Sequence, residues 1–184
     1  MEVDIYLVKH GEAATAWGKS SDPGLSELGR QQASTTAEAL LAQLGDEVSL
    51  ISSPLLRARE TALALSELIS RPVKIDDTYR EVPARVSLED RKAWLGEFMA
   101  GQWADQADYL VQWRQSLYDG LVALPGPSVI FSHFLAINAV VGQITGQPET
   151  VCFLPDNASI THQRNIGGSL ELVSLGQQMQ TVVN

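Results

Sequence analysis

The chain has 184 residues, 45% of them hydrophobic and 19% charged, enough to bury one core and short for two, so a single domain over residues 1–184 is expected. Its 13 Lys and Arg against 22 Asp and Glu give a net charge of −9, a field that argues against nucleic acid or an anionic membrane as partner. Cys152 is the single cysteine, so no internal disulfide forms; no Cys/His cluster has metal-ligand spacing, no run is long and apolar enough for a membrane span or signal peptide, and a cytoplasmic setting is expected.

In chain order, the apolar run Val3-Asp4-Ile5-Tyr6-Leu7-Val8 reads as a buried strand that leads into Lys9-His10-Gly11-Glu12. Residues 13–25 are polar. Ser26 suits the N-cap of a helix reaching about Leu44 and stopped by Gly45, with Leu28, Ala33, Ala37, Leu40, Leu41 and Leu44 mostly on one face. A strand over 48–52 follows, and Pro54 suits the first turn of the next helix, which carries Leu63, Leu65 and Leu68 before Pro72. Val73-Lys74-Ile75 reads as a short strand and 76–88 as a loop. Helical stretches follow near 88–100 and 105–124, the second with Tyr109, Trp113, Leu117 and Leu121 as a core stripe.

A strand over 128–132 then leads to His133 and a helix bearing Leu135, Ile137, Val140, Val141 and Ile144, with Gly146 as its stop. Strands are expected at about 150–154 and 158–165, joined by a turn at Asn157, with Gly167-Gly168 making a hairpin to 169–175. Alternating β and α early and antiparallel strands late predict the α/β class: a three-layer α/β/α arrangement with a mixed, mostly parallel sheet and helices on both faces.

In an open α/β sheet, groups at the carboxyl ends of neighbouring strands converge on one crevice. Two of the 3 histidines, His10 and His133, stand at such ends, and the strand over 48–52 delivers Ser53-Pro54-Leu55-Leu56-Arg57 to the same edge. Neutral imidazole is a nucleophile for phosphoryl transfer, provided that one ring nitrogen is held by a partner and the other keeps its lone pair. Arg57 offers a planar fork for phosphate oxygens, Gly11 would let the backbone approach a phosphate, and a protonated His133 would stabilise the growing charge. A leaving alkoxide needs a proton, and Glu81 in Tyr79-Arg80-Glu81-Val82-Pro83 is the best-placed carboxylate, with Glu89 and Glu97 as alternatives. For each of these residues a plainer reading exists. Glu81 would be a surface carboxylate paired with Arg80 or Arg85, and Lys9 would reach for solvent. His162 reads as a surface residue, and Trp17, Trp94 and Trp103 as packing, lid or substrate-mouth side chains.

The segment Leu7-Val8-Lys9-His10-Gly11-Glu12 resembles the Arg-His-Gly signature of the histidine phosphatase superfamily, the phosphoglycerate mutase-like proteins. Asp22 with Leu25 to Ala33 resembles the start of that family's first helix, and Ser53-Pro54-Leu55-Leu56-Arg57-Ala58 with Thr61-Ala62 resembles its second arginine motif. Ser132-His133 resembles its second histidine, and Asn157 to Thr161 its late asparagine turn. Joint occurrence in order is far more specific than any one motif. The resemblance implies a phosphoglycerate mutase-like fold without metal or cofactor. His10 would be the phosphohistidine, Arg57 and His133 the holders of the phosphoryl group, and Glu81 the acid and later the base. Lys9 stands where the family usually has arginine; it keeps the charge and a phosphate contact but loses the fork. Phe134-Leu135 follow His133 where small residues are common, and residues 13–18 lack the asparagine many members carry.

The expected activity is metal-independent hydrolysis of phosphomonoesters through a phosphohistidine, of the histidine acid phosphatase type. The substrate would be a small phosphorylated metabolite or the phosphohistidine of a protein. Two alternatives stand beside it: phosphoryl transfer of the phosphoglycerate mutase kind, and a phosphate-binding pseudo-phosphatase weakened by Lys9.

Overall fold

The protein is described from a computed structural model covering residues 1–15 and 20–180. Six strands form one sheet: β1 (Glu2–Lys9), β2 (Ser49–Ser52), β3 (Val73–Ile75), β4 (Ser128–Ser132), β5 (Ile160–Ile166) and β6 (Ser169–Ser174). Their spatial order is β3-β2-β4-β1-β5-β6. The first four run parallel, and β5 and β6 are antiparallel additions at the far edge. Gly167 and Gly168 both take positive φ in the hairpin between the last two strands, a conformation that costs glycine little.

The alternation along each strand divides the core into two. Val3, Ile5, Leu7, Ile51 and Ile130 face the side covered by α3 (Arg91–Met99), α4 (Asp108–Val122) and α5 (Phe134–Thr145). Tyr6, Val8, Leu50, Val129 and Phe131 face the side covered by α1 (Glu27–Leu41) and α2 (Leu56–Ile69). This is the three-layer α/β/α arrangement with a mixed, mostly parallel sheet.

The helices begin and end where local chemistry directs, with some shifts from the sequence reading. Ser26 caps α1, its hydroxyl accepting from the Gly29 amide at 3.0 Å. The helix stops at Leu41 rather than Leu44, because the amides of Gln43 and Leu44 both close onto the Leu40 carbonyl. Pro54 lies before α2 rather than in its first turn, since Leu55 is the extended cap residue. Small residues face inward on both helices, Ala33 and Ala37 in α1 and Ala58 and Ala62 in α2, so the two helices lie close together and Leu28, Leu63 and Leu68 turn outward. Gly146 ends α5 in the left-handed region, as expected of a terminal glycine.

The strand expected at 150–154 does not form. Asn138, fully buried in α5, satisfies part of that segment instead: its Oδ1 accepts from the amides of Cys152 at 2.8 Å and Phe153 at 3.1 Å, while its Nδ2 donates to the Phe134 carbonyl at 3.0 Å. The Thr150 amide donates to the Gly101 carbonyl and the Leu154 amide to Gln178 Oε1, each at 3.2 Å, so scattered acceptors meet the hydrogen-bonding needs that a ladder would otherwise meet. Within the loop over 76–88, Asp77–Tyr79 make a single 3₁₀ turn whose cap is the Asp76 carboxylate. No helix among the described residues is long and apolar enough to cross a membrane.

Candidate active site

Strand register alone brings the two histidines together. Lys9 lies opposite Ser132 across the β1/β4 pair, so the next residue of each strand, His10 and His133, stand side by side with ring centroids 5.3 Å apart and planes tilted by 59°. Phe131 likewise pairs with Ser52 of β2, which delivers Ser53 and the start of α2 to the same edge.

The tautomer of His10 follows from what its neighbours can do. Its Nδ1 is 2.7 Å from the Gly11 carbonyl, which can only accept, so Nδ1 carries the proton. The Arg57 guanidinium, which can only donate, points its Nε–H at His10 Nε2 over 3.2 Å. The ring therefore holds a lone pair on Nε2, aimed at an arginine. Burial, then the Lys9 and Arg57 charges, hold its proton affinity well below that of an ordinary histidine, and the Gly11 hydrogen bond opposes them only in part.

His133 is fully buried. Its Nε2 lies 2.8 Å from the Ser53 hydroxyl, whose oxygen also accepts from the Leu55 amide, and its Nδ1 is buried without a protein partner. Burial lowers its proton affinity well below the usual value, and the charges of His10, Arg57, Lys9 and Arg80 lower it further. The protonated His133 expected from the sequence is thus disfavoured in the free protein. A neutral ring serves the same end, because a Ser53 O–H donated to Nε2 leaves the Nδ1–H to be donated elsewhere.

Lys9 does not reach for solvent. It is buried, and its Nζ donates to the Asn157 Oδ1 at 2.5 Å. Burial pushes its ammonium down to about 8, against the pull of Glu81 and Asp156 and with the help of Arg57. The Asn157 turn is itself fastened to the site: the Ala158 amide donates to the His10 carbonyl at 3.3 Å, and Ala158 takes a left-handed φ of 56°, uncommon for alanine.

Glu81 pairs with neither Arg80 nor Arg85. Arg80 binds Asp77 at 2.7 Å, and Arg85 lies over the Tyr109 ring. The Glu81 carboxylate instead accepts from the amides of Val82, Leu135 and Ala136 at 2.9 to 3.1 Å, capping the first turn of α5. Burial raises its pKa all the same, outweighing those three amides and Arg57. Glu89 and Glu97 are exposed and line no part of the cleft.

Gly11 is required by close packing rather than by an open approach. A Cβ there would sit 2.5 Å from the Gly29 carbonyl oxygen, and its amide donates to Thr61 Oγ1 at 3.0 Å. Beside Arg57 and Glu81 opens a cleft of about 290 Å³, whose lining also includes Arg80, Arg91, Val82 and Leu95. Trp94 and Trp103 lie elsewhere, stacked on and edge-on to Phe98, and Trp17 is outside the described residues. His162 is tied to Asp4 at 2.8 Å and stacked on Tyr6, so it is no free surface residue.

The sequence reading gave no role to Ser53, Thr61 or Arg91. The first two sit within a quoted motif that gave no sign of which side chain they hold. Arg91 lay in a stretch read only as the start of a helix. Among the described residues no three His, Cys, Asp or Glu converge as metal ligands.

Comparison with known proteins bears on the family and the fold. The sequence profile of the histidine phosphatase superfamily (branch 1) matches residues 5–178. A glucosyl-3-phosphoglycerate phosphatase of Mycolicibacterium vanbaalenii is 36% identical over 81 residues, which are 42% of this chain and 35% of that one. The matched region thus spans about a third of that relative's length. The native structure of a mycobacterial glucosyl-3-phosphoglycerate phosphatase superimposes with a TM-score of 0.72 at 23% identity, covering 97% of this chain and all of that one. A phosphoserine phosphatase from Entamoeba histolytica, in complex with 3-phosphoglyceric acid, gives a TM-score of 0.72 at 21% identity over 96% of this chain and 98% of that one. With the profile matched over nearly its whole length, this chain belongs to the histidine phosphatase superfamily, branch 1.

Proposed function

We propose that this protein is a phosphoric monoester hydrolase that works through a phosphohistidine on His10 and needs no metal ion. The observation that carries this reading is the lone pair on His10 Nε2, fixed by the Gly11 carbonyl on one side and the Arg57 donor on the other, with His133 alongside. A phosphoryl group entering against Nε2 takes over the Arg57 donor and the unpartnered Nδ1–H of His133, and Lys9 adds positive charge.

In the first step Nε2 forms a bond to phosphorus as the bond from phosphorus to the leaving oxygen breaks. That oxygen takes the proton of the Glu81 carboxyl, whose raised pKa keeps it protonated to higher pH than an ordinary glutamate. In the second step the Glu81 carboxylate takes a proton from water, the hydroxide oxygen bonds to phosphorus, and the bond from Nε2 to phosphorus breaks. Glu81 is protonated again and inorganic phosphate departs. The relatives named above act on glucosyl-3-phosphoglycerate and phosphoserine, and a small phosphorylated metabolite of that kind suits a cleft of about 290 Å³.

The test is release of nitrophenol from p-nitrophenyl phosphate in the presence of EDTA, at mildly acidic to neutral pH. Wild type turns the ester over and His10→Ala loses nearly all of that activity. Absence of turnover across a broad panel of phosphate esters, with inorganic phosphate still bound, overturns the hydrolase reading in favour of the phosphate-binding pseudo-phosphatase.

A further inference from the structure

The reaction above uses His10, His133, Lys9, Arg57 and Glu81. It leaves two cations in the same cleft without work. Three of the chain's 13 Lys and Arg, namely Arg57, Arg80 and Arg91, line this one cavity in a protein of net charge −9. Their mutual repulsion reaches the reacting groups: Arg91 lowers the proton affinity of Arg57, and Arg80 that of His133.

Arg91 is placed against its own interest. It is the first residue of α3, where the helix dipole disfavours a cation. Its Nε is buried without a hydrogen-bond partner, and none of the ion pairs among the described residues includes it or Arg57. Arg80 spends its Nε on Asp77. The one carboxylate lining the cleft, Glu81, is already committed to three backbone amides. The remaining wall, with Leu55, Val82 and Leu95, supplies no negative charge. A buried donor such as the Arg91 Nε–H, costly where it stands and without a partner among the described residues, is expected where a ligand supplies one, and Arg80, held at the rim by Asp77, keeps its other guanidinium N–H groups for the same ligand.

We propose that the substrate carries a second anionic group besides its phosphoryl group, and that Arg80 and Arg91 bind it within the cleft. This rests on the phosphatase reading and narrows its substrate class to phosphomonoesters bearing a carboxylate or a second phosphate, the two groups a guanidinium fork grips. Phosphomonoesters of the same length without a second anionic group are poor substrates.

The experiment compares kcat/KM for three esters: glycerol 3-phosphate, 3-phosphoglycerate and the bisphosphate of propane-1,3-diol. In wild type, at least one of the two doubly anionic esters exceeds glycerol 3-phosphate by about tenfold or more, and the larger excess identifies carboxylate or phosphate as the group recognised. In Arg91→Gln that ratio falls to within about threefold of one, and Arg80→Gln lowers it in the same direction. Each ratio is taken within one preparation, so a partly folded variant leaves it readable, and the wild-type ratio stands without any variant. A wild-type ratio near one for both esters, or a ratio unmoved by both substitutions, overturns the proposal. If p-nitrophenyl phosphate is turned over but the ratio is flat, the subsite is wrong and the phosphatase reading survives. If no ester is turned over, the phosphatase reading fails, and calorimetric affinities of wild type for 3-phosphoglycerate and glycerol 3-phosphate still decide the subsite on the same tenfold criterion.

Discussion

His10 and Lys9 are adjacent in sequence, both buried, and pushed the same way by burial, yet the consequences are opposite. For the imidazole, a lowered proton affinity keeps the nucleophile free, so the acid limb of kcat/KM falls below the pH of an ordinary histidine titration. For the ammonium, it removes a useful charge: as pH rises through about 8 the neutral amine replaces the cation and the site loses a phosphate contact. For p-nitrophenyl phosphate, whose leaving group needs no proton from Glu81, wild-type kcat/KM therefore falls on an alkaline limb near pH 8. In Lys9→Arg activity is equal or higher and that limb moves up, because a guanidinium stays charged. A pH profile of both proteins checks this, and a loss above about tenfold in the variant, some 1.4 kcal/mol of transition-state stabilisation, would show that the lysine is specifically required. Glu81 gives a second expectation at this scale. Glu81→Gln lowers kcat/KM for alkyl phosphates by roughly 10²- to 10⁴-fold and that for p-nitrophenyl phosphate less, since kcat/KM reports phosphorylation of His10 and nitrophenolate leaves without a proton. Equal losses on both esters would count against Glu81 as the proton donor.

At the scale of the element, the site depends on contacts a strand or helix prediction does not contain. Gly29, in the first turn of α1, backs directly onto the loop after β1, and a Cβ there would overlap the Glu12 carbonyl. Gly29→Ala is expected to displace that loop, lowering both thermal stability and phosphatase activity; a variant with unchanged values for both would show that the loop tolerates the shift. Asn138 makes a sharper case. Asn138→Leu leaves the amides of Cys152 and Phe153 buried without acceptors, at a cost of about 2–4 kcal/mol in urea denaturation. The same residue helps explain why the strand expected at 150–154 is absent: hydrophobic alternation signals a buried extended segment, whether a neighbouring strand or scattered acceptors such as Asn138 meet its amides. The outward turn of Leu28 and Leu41, read on one face with Ala33, Ala37 and Leu40, has another cause. Helical periodicity was legible in the sequence, but the closeness of α1 to α2, which gives the inner face to small residues, is a tertiary property.

For the whole molecule, order and type of the elements were legible, the strand expected at 150–154 apart, because the β/α alternation, the capping Ser26 and the closing Gly146 and Gly167-Gly168 all act locally. The pairing of His10 with His133 was legible for a topological reason: both follow strands whose carboxyl ends share an edge. Arg91 and Ser53 were not, because nothing in their local sequence marks which cavity or ring they meet. The two core layers also permit a test of the proposal that residues 1–184 form one domain. Trp94, Trp103 and Trp113 all belong to the layer of α3, α4 and α5, so indole fluorescence weights that side while far-ultraviolet circular dichroism reports all the helices. Coincident urea transitions by the two probes are expected, and separated midpoints would mean that the layers unfold independently. The central claim, covalent chemistry on one imidazole, is tested most directly by quenching turnover in alkaline denaturant and mapping phosphate by mass spectrometry. The account predicts an acid-labile phosphoryl group on His10, absent from His10→Ala and enriched in Glu81→Gln fed p-nitrophenyl phosphate. Turnover without any phosphorylated His10, or phosphate carried on another residue, would contradict it.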